Sequence, residues 1–360
     1  MAARRLRAQR LVGKPFANAV EAVRALGAVQ SQDYPAAIWA LGQRVAGAVE
    51  ADLDRLFDEG AILRTHVLRP TWHFILPEDI RWMQELTSPR VLSGLRGRHR
   101  QLELDESTMA RALELFGEAV SGHNHLTRPE LAEALAAAGI SPDGQRMPHL
   151  LAVAEHANVL TSGPRRGRQF TYALLEERAP AARSRDGDEA LREMVVRYFT
   201  SRGPAQVQDF VWWSGLSAAQ TRRGLEMARD SLEGVVIEER EYWASPDGTK
   251  AAPTAVAHLL PNFDEYTVGY RDRTAILDPA YPFEPGAFAH FHEATPMGGL
   301  LSNIVTFDGR LRGPWRRTLL GTDRVRVEVR PLATLPAGEA AAVDAAGERY
   351  ARFLGRRLER

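Results

Sequence analysis

Apolar positions along this chain fall into a unit that recurs. Over residues 105–176, Thr127, Pro129 and Glu130 form a helix start: an N-cap threonine, a first-turn proline and a glutamate placed to close a capping box. Leu131, Ala134, Leu135 and Ala138 then share one side of a short helix that Gly139 ends. After the turn "SPDG" (141–144), Met147, Leu150, Leu151 and Ala154 recur at helical spacing. "NVLTSGPRRGRQFTYAL" alternates into two short strands around a Gly/Pro/Arg tip. Helix-turn-helix followed by a hairpin is the order of a winged helix, with the tip as its wing.

The same order returns over 189–244. Leu191, Met194, Val195, Tyr198 and Phe199 mark one amphipathic helix, and "GPAQVQDFVWWSGL" gives a short helix and a glycine turn. Ser217 and Gln220 form a second capping box before "AAQTRRGLEMA", and "GVVIEEREYWAS" makes a second wing. The N-terminal region reads as a third, less regular unit. Helices fit 18–26, 35–43 and 51–59, and "AILRTHVLRPTWHFIL" (61–76) has strand composition. Pro70 breaks that segment and belongs at an edge or a hairpin tip. The C-terminal third is rich in strand and turn signals, with an Asp-Gly hairpin at "TFDGRL" (306–311) and a closing helix over 338–360. The expected architecture is α+β: three tandem winged helix-turn-helix units and a strand-rich C-terminal region. The boundaries are 1–104, 105–180, 181–245 and 246–360, with "RAPAARSRDGDE" (178–189) as one linker.

Composition narrows the chemistry. The chain has 360 residues, 44% of them hydrophobic, and no cysteine. Disulfides, thiolate nucleophiles, Cys-ligated zinc and iron–sulfur clusters are therefore excluded. No apolar run approaches a membrane span, and the basic N-terminus lacks the apolar core of a secretory signal, so a cytoplasmic protein is expected. Net charge is zero, yet residues 309–330 hold seven arginines against Asp323 and Glu328, and "GPRRGR" (163–168) holds three without an acid. Such clusters track phosphates or are solvated strand faces and loops. Lysine occurs only at Lys14 and Lys250, so few amines are available for Schiff-base chemistry.

Two glutamines, Gln30 and Gln32, flank Ser31 in "GAVQSQDYP". Alone they read as loop polars. Asp33 beside them is either a general base or the N-cap of the helix beginning near Pro35. In "THVLRPTWH", the His66, Arg69, Thr71 and His73 group reads as phosphate or lesion contacts or as structural hydrogen bonds, while its spacing fits no common zinc pattern. Trp72 reads as core.

The segments "AVQSQDYP", "RTHVLRPTWHF", "LLPNFDEYTVGYRDR" and "FDGRLRGPWRR" resemble, in order and spacing, the AlkZ-like (YcaQ-like) family of winged-helix DNA glycosylases, over residues 4–332. The resemblance implies a concave DNA-binding surface built from three winged helices. It also implies catalysis by a Gln-x-Gln motif with a hydrophobic centre, which maps onto Gln30, Ser31 and Gln32. Ser31 departs from the pattern. That branch is similar to proteins that release bulky purine adducts and unhook interstrand crosslinks, some serving self-resistance. In this light Asp264, Glu265 and Tyr266 are candidates for the wall beside a lesion, and Arg310 and Arg312 for a hairpin that probes a groove.

Two amides can suffice because a purine alkylated at N7 or N3 is already cationic and leaves readily. If the backbone is extended, residues i and i+2 point the same way, so Gln30 and Gln32 aim at one spot. Their oxygens can orient water and face the developing sugar cation. No lysine lies in a matched segment, which points to a monofunctional enzyme. The expectation is a monomeric, nucleoid-associated bacterial glycosylase acting on duplex DNA with alkylated purines, needing no cofactor and no metal. The competing reading is a winged-helix transcription regulator. Such a regulator binds an operator and releases no base.

Overall fold

The computed structural model describes residues 1–246, 253–284, 286, 288 and 299–359. The chain begins with α1 (Ala2–Ala8), α2 (Ala19–Leu26), β1 (Val29–Gln30), α3 (Tyr34–Gly42), α4 (Glu50–Glu59), β2 (Leu63–His66), β3 (Trp72–Ile75) and α5 (Pro77–Gln101). Next come α6 (Glu106–Val120), β4 (Leu126–Thr127), α7 (Arg128–Ala137), α8 (Arg146–His156), β5 (Leu160–Ser162), β6 (Thr171–Leu174) and the single turn α9 (Leu175–Arg178). Then follow α10 (Gly187–Arg202), α11 (Val207–Ser214), α12 (Ala218–Met227), β7 (Glu233–Ile237) and β8 (Arg240–Ala244). The remainder comprises β9 (Ala257–Leu260), α13 (Glu265–Val268), β10 (Ile304–Phe307), β11 (Arg310–Leu320), β12 (Arg324–Val329), α14 (Ala337–Phe353) and β13 (Arg357–Glu359). The fold is mixed α and β.

Local chemistry explains most of these bounds. The Asn18 side chain accepts from the Glu21 N–H and starts α2, and Asp33 does the same for α3 through Ala36. At α7, Thr127 and Glu130 form the capping box that the sequence pattern implies. The Thr127 N–H and then the Arg166 guanidinium bind the Glu130 carboxylate, holding its pKa down to about 2. The α5 helix has no such signature. It carries Pro89 in its interior, where a proline removes one helical N–H, and its apolar residues form no regular stripe.

Contacts divide the chain into two compact units. One holds Arg55–Leu191 and Ser214–Ser217. Within it β2 and β3 form an antiparallel hairpin, Leu63 opposite Ile75, and Pro70 sits in the connection. In the same unit α6, β4, α7, α8, β5 and β6 follow one another, and their three strands lie in the order β4-β6-β5. Met147, Leu150, Leu151 and Ala154 of α8 meet Leu131 and Leu135 of α7, Phe116 of α6 and Tyr172 of β6 in one core.

The other unit holds Met1–Asp54, Arg192–Trp213 and Ala218–Arg360. Here β7 and β8 pair, and Ala205 makes a lone bridge to Trp243, so one residue stands where β4 stands in the preceding segment. Tyr198 packs edge to face on Phe199 and Phe210 and at a tilt on Trp213, while Phe199 and Phe210 stack. A five-stranded sheet runs β13-β12-β11-β10-β9. The β10–β11 turn is Asp308-Gly309 with φ of 48° and 76°, a pair of left-handed residues that suits a tight hairpin. Leu6 and Leu11 pack against Leu260, Tyr266, Ile304 and Leu311 of that sheet region.

Candidate active site and nucleic-acid interface

Gln30 ends β1 and is only 5% exposed, Ser31 is fully buried, and Gln32 is exposed at a bend leading to Asp33. Strand pairing thus ends at Gln30, and Gln32 lies in a bend, although Asp33 returns to extended backbone. The chain turns at Gln32 and Asp33 because Asp33 must cap α3. Alternation along a strand therefore does not by itself aim the two amides together. Ser31 occupies the interior position that a hydrophobic centre would take. Asp33 is half-buried, accepting from the Ala36 N–H at 3.2 Å and from Asn262 Nδ2 at 3.2 Å.

Beneath this segment lies an ionic clamp. The Gln30 backbone N–H donates to Glu265 Oε1 at 2.8 Å. The other Glu265 oxygen accepts from Arg202 Nη2 at 2.6 Å, Arg202 Nε at 3.0 Å and Trp213 Nε1 at 3.2 Å. Arg202 in turn donates to the carbonyls of Leu26 and Ala28 at 2.8 and 3.0 Å. One buried guanidinium and one buried carboxylate therefore fix the backbone on both sides of Gly27. A second pair supports the first. Arg44 binds both Asp264 oxygens at 2.7 and 2.9 Å and donates to Gln9, whose amide donates to the Glu265 carbonyl and to Tyr270.

This geometry corrects the expectation for Asp264, Glu265 and Tyr266. All three are buried to within 1% of full burial. Asp264 caps α13 by accepting from the Tyr266 N–H and is consumed by Arg44. The Tyr266 hydroxyl donates to the Gly309 carbonyl at 3.0 Å, and burial raises its pKa. None of the three can form a wall against a base. Glu265 instead holds the backbone of Gln30, a role that no pattern in the sequence announces.

Arg312 is corrected likewise. It is 5% exposed and pairs with Asp278 and Glu339 while stacking over Tyr281. Arg310 at the hairpin end is exposed, with Nη1 3.3 Å from the Leu277 carbonyl. Further along β11 and β12, Arg316 pairs with Glu328, and Arg324 and Arg326 with Glu359, the arginines exposed and the carboxylates half-buried. Ion pairs of this kind contribute little and exchange readily for phosphate.

In the other unit, His66 is held by Glu155 and packs at a tilt on Trp72, centroids 4.6 Å apart. Arg64 lies over the other ring neighbours, 4.3 Å from Trp72 and 4.8 Å from Phe170. His73 is fully buried and its Nδ1 donates to the Thr71 carbonyl at 2.9 Å, so it is a structural histidine rather than a phosphate contact. Arg69 and Thr71 are half-buried in the β2–β3 connection beside Leu68, whose φ is +68°. At the β5–β6 tip, Arg165 pairs with Asp58 and Arg166 with Glu130, while Arg168 is exposed. Among the described residues no group of acidic, histidine or cysteine side chains could hold a metal ion. Lys14 is exposed, and Lys250 lies outside the described residues.

The described residues include no helix long and apolar enough to cross a membrane. No curated protein matches the sequence. One solved structure, the Streptomyces sahachiroi DNA glycosylase AlkZ, shares the fold with a TM-score of 0.78 at 22% identity, covering 99% of this chain and 98% of that one. The model of the family described as DNA glycosylase AlkZ-like matches residues 23–353, and so the clamp, the glutamine segment and both hairpins. The chain belongs to the AlkZ-like DNA glycosylase family.

Proposed function

We propose that this DNA glycosylase releases cationic, bulky alkylpurines and that Gln30 and Gln32 are its catalytic residues. The observation that carries the reading is the buried Arg202–Glu265 clamp on the Gln30 backbone. Two buried charges are an expensive way to hold a loop unless the position of that loop matters. Water attacks C1′ of the damaged nucleotide, the C1′–N bond breaks with its electrons passing to the cationic base, and the water proton is lost to solvent. The amide oxygens orient the water and face the oxocarbenium-like sugar, while the amide N–H groups anchor the site. Asp33, already held by Asn262 and by the start of α3, acts as an N-cap rather than a base.

In this reading three winged helices in tandem carry the DNA, the protein acts as a monomer, and crosslinked purines are substrates as well as monoadducts. Arg310, His66, Arg69 and Thr71 contact the phosphates or the lesion. The test is base release from a duplex bearing N7-methylguanine. Gln30→Ala and Gln32→Ala each lower the single-turnover rate by about a hundredfold, the size of losing one aimed dipole, with DNA affinity changed less than about threefold. A double variant that excises at the parental rate would refute the assignment.

A further inference from the structure

Outside the glutamine segment, a cavity of about 620 Å³ lies among α3, the loop after it, β9 and α14 of the same unit. That is the size of a small-molecule site. Its apolar surface comes from Leu11, Trp39, Val45, Val49, Val256 and Phe353. Trp39 is fixed there, its indole N–H donating to the Leu259 carbonyl at 2.7 Å and its ring packed on Phe353.

Two polar atoms of the lining are unspent, and two arginines stand beside them. His258 is 4% exposed, its Nε2 donates to the Leu11 carbonyl at 2.9 Å, and its Nδ1 has no hydrogen-bond partner. Burial holds this imidazole's pKa near 4, so Nδ1 is a bare acceptor at neutral pH. The Gln43 Nε2 is a buried donor, also without a partner. Arg349 and Arg352 line the same cavity, and no acidic residue lies among the described lining residues. Arg349 reaches the Ala257 carbonyl, and burial and the neighbouring Arg352 charge lower its pKa. An orphaned donor and an orphaned acceptor beside an apolar wall are costly unless something supplies the complement, and the two arginines make that complement anionic.

We propose that this cavity binds an aromatic acid, a flat ring system with one carboxylate or phosphate. The ring lies against Trp39, Val45, Val49 and Phe353, and the anion lies between Arg349 and Arg352. Gln43 donates to an acceptor on the ligand, and His258 Nδ1 accepts from a ligand N–H or O–H. The site is separate from the glutamine segment and does not rest on its assignment.

Isothermal titration of the full chain with 2-naphthoate, deoxyguanosine 5′-monophosphate and neutral 2-naphthamide tests the proposal. One acid binds with 1:1 stoichiometry and a Kd at or below about 1 mM, as ligand efficiency allows, and the amide binds at least about tenfold more weakly. Tighter binding of the nucleotide than of 2-naphthoate identifies a nucleotide as the source of the anion, and the reverse order identifies a non-nucleotide acid. Arg352→Met, at an exposed position, lowers acid affinity by about tenfold, and base release from damaged DNA is unchanged. Saturation by neither acid, equal affinity for the amide, or parental affinity in Arg352→Met overturns the proposal.

Discussion

Glu265 and Arg202 are buried to within 1% and 0% of full burial, and each is the other's counter-charge. Removing one partner strands the other in a low-dielectric interior. Glu265→Ala should therefore lower the unfolding free energy by about 3–5 kcal/mol, read from urea denaturation, and pairing it with Arg202→Met should recover a good part of that loss. A loss below about 1 kcal/mol would mean that the pair is hydrated and does not clamp β1. Two histidines make acid the other weak point. Burial holds His156 and His258 near pKa 4, against 6.5 for a free imidazole. Between those values the unfolded chain binds protons that the folded chain refuses, so stability falls as pH drops from about 6.5 towards 4 and is level above 7. The sum is on the order of 3 kcal/mol for each histidine. Thermal denaturation across pH 4–7 checks this, and His156→Gln should flatten the slope.

At the scale of elements, the sequence pattern works where local chemistry decides. The starts of α2, α3 and α7 are marked by Asn18, Asp33 and Thr127, whose side chains sit within three residues of the N–H groups they satisfy. Thr127→Ala should cost about 1 kcal/mol by opening the capping box. The Asp308-Gly309 turn is equally local, yet its environment is not. A Cβ on Gly309 would meet the Tyr266 hydroxyl as well as the φ of +76°. Gly309→Ala should therefore cost more than the usual 1 kcal/mol or so of a left-handed residue, and a neutral result in chemical denaturation would contradict the packing of Tyr266 under the hairpin. By contrast α5 has a first-turn Pro77 with Glu78 and Asp79 but no capping side chain and no regular apolar stripe, and an internal Pro89 argues against it. Its helix is set by tertiary packing, with Trp82, Met83 and Thr87 buried.

At the scale of the whole molecule, formal net charge is zero, so DNA affinity must come from local arginines. Several of the exposed ones stand in ion pairs that phosphate can replace. Binding to duplex DNA should weaken steeply with salt, and Arg310→Ala should reduce the slope of log K against log salt by about one. A slope unchanged by that variant would remove Arg310 from the interface. With no lysine in the glutamine segment, base release should leave an intact abasic site, and strand cleavage by elimination would point to Lys14, Lys250 or the Met1 amine.

The sequence by itself determined the caps, the turns, the periodic helices and the family, because each depends on residues a few positions apart or on their order. It also placed Gln30 and Gln32 two positions apart, on either side of Ser31. Only the tertiary structure decided that Asp264, Glu265, Tyr266, His73 and Arg312 are buried supports. His73 bonds the nearby Thr71 carbonyl, but the partners of the other four, Arg44, Arg202, Gly309 and Glu339 among them, are distant in sequence, and whether a charged side chain faces DNA or another charge depends on contacts that no local pattern records.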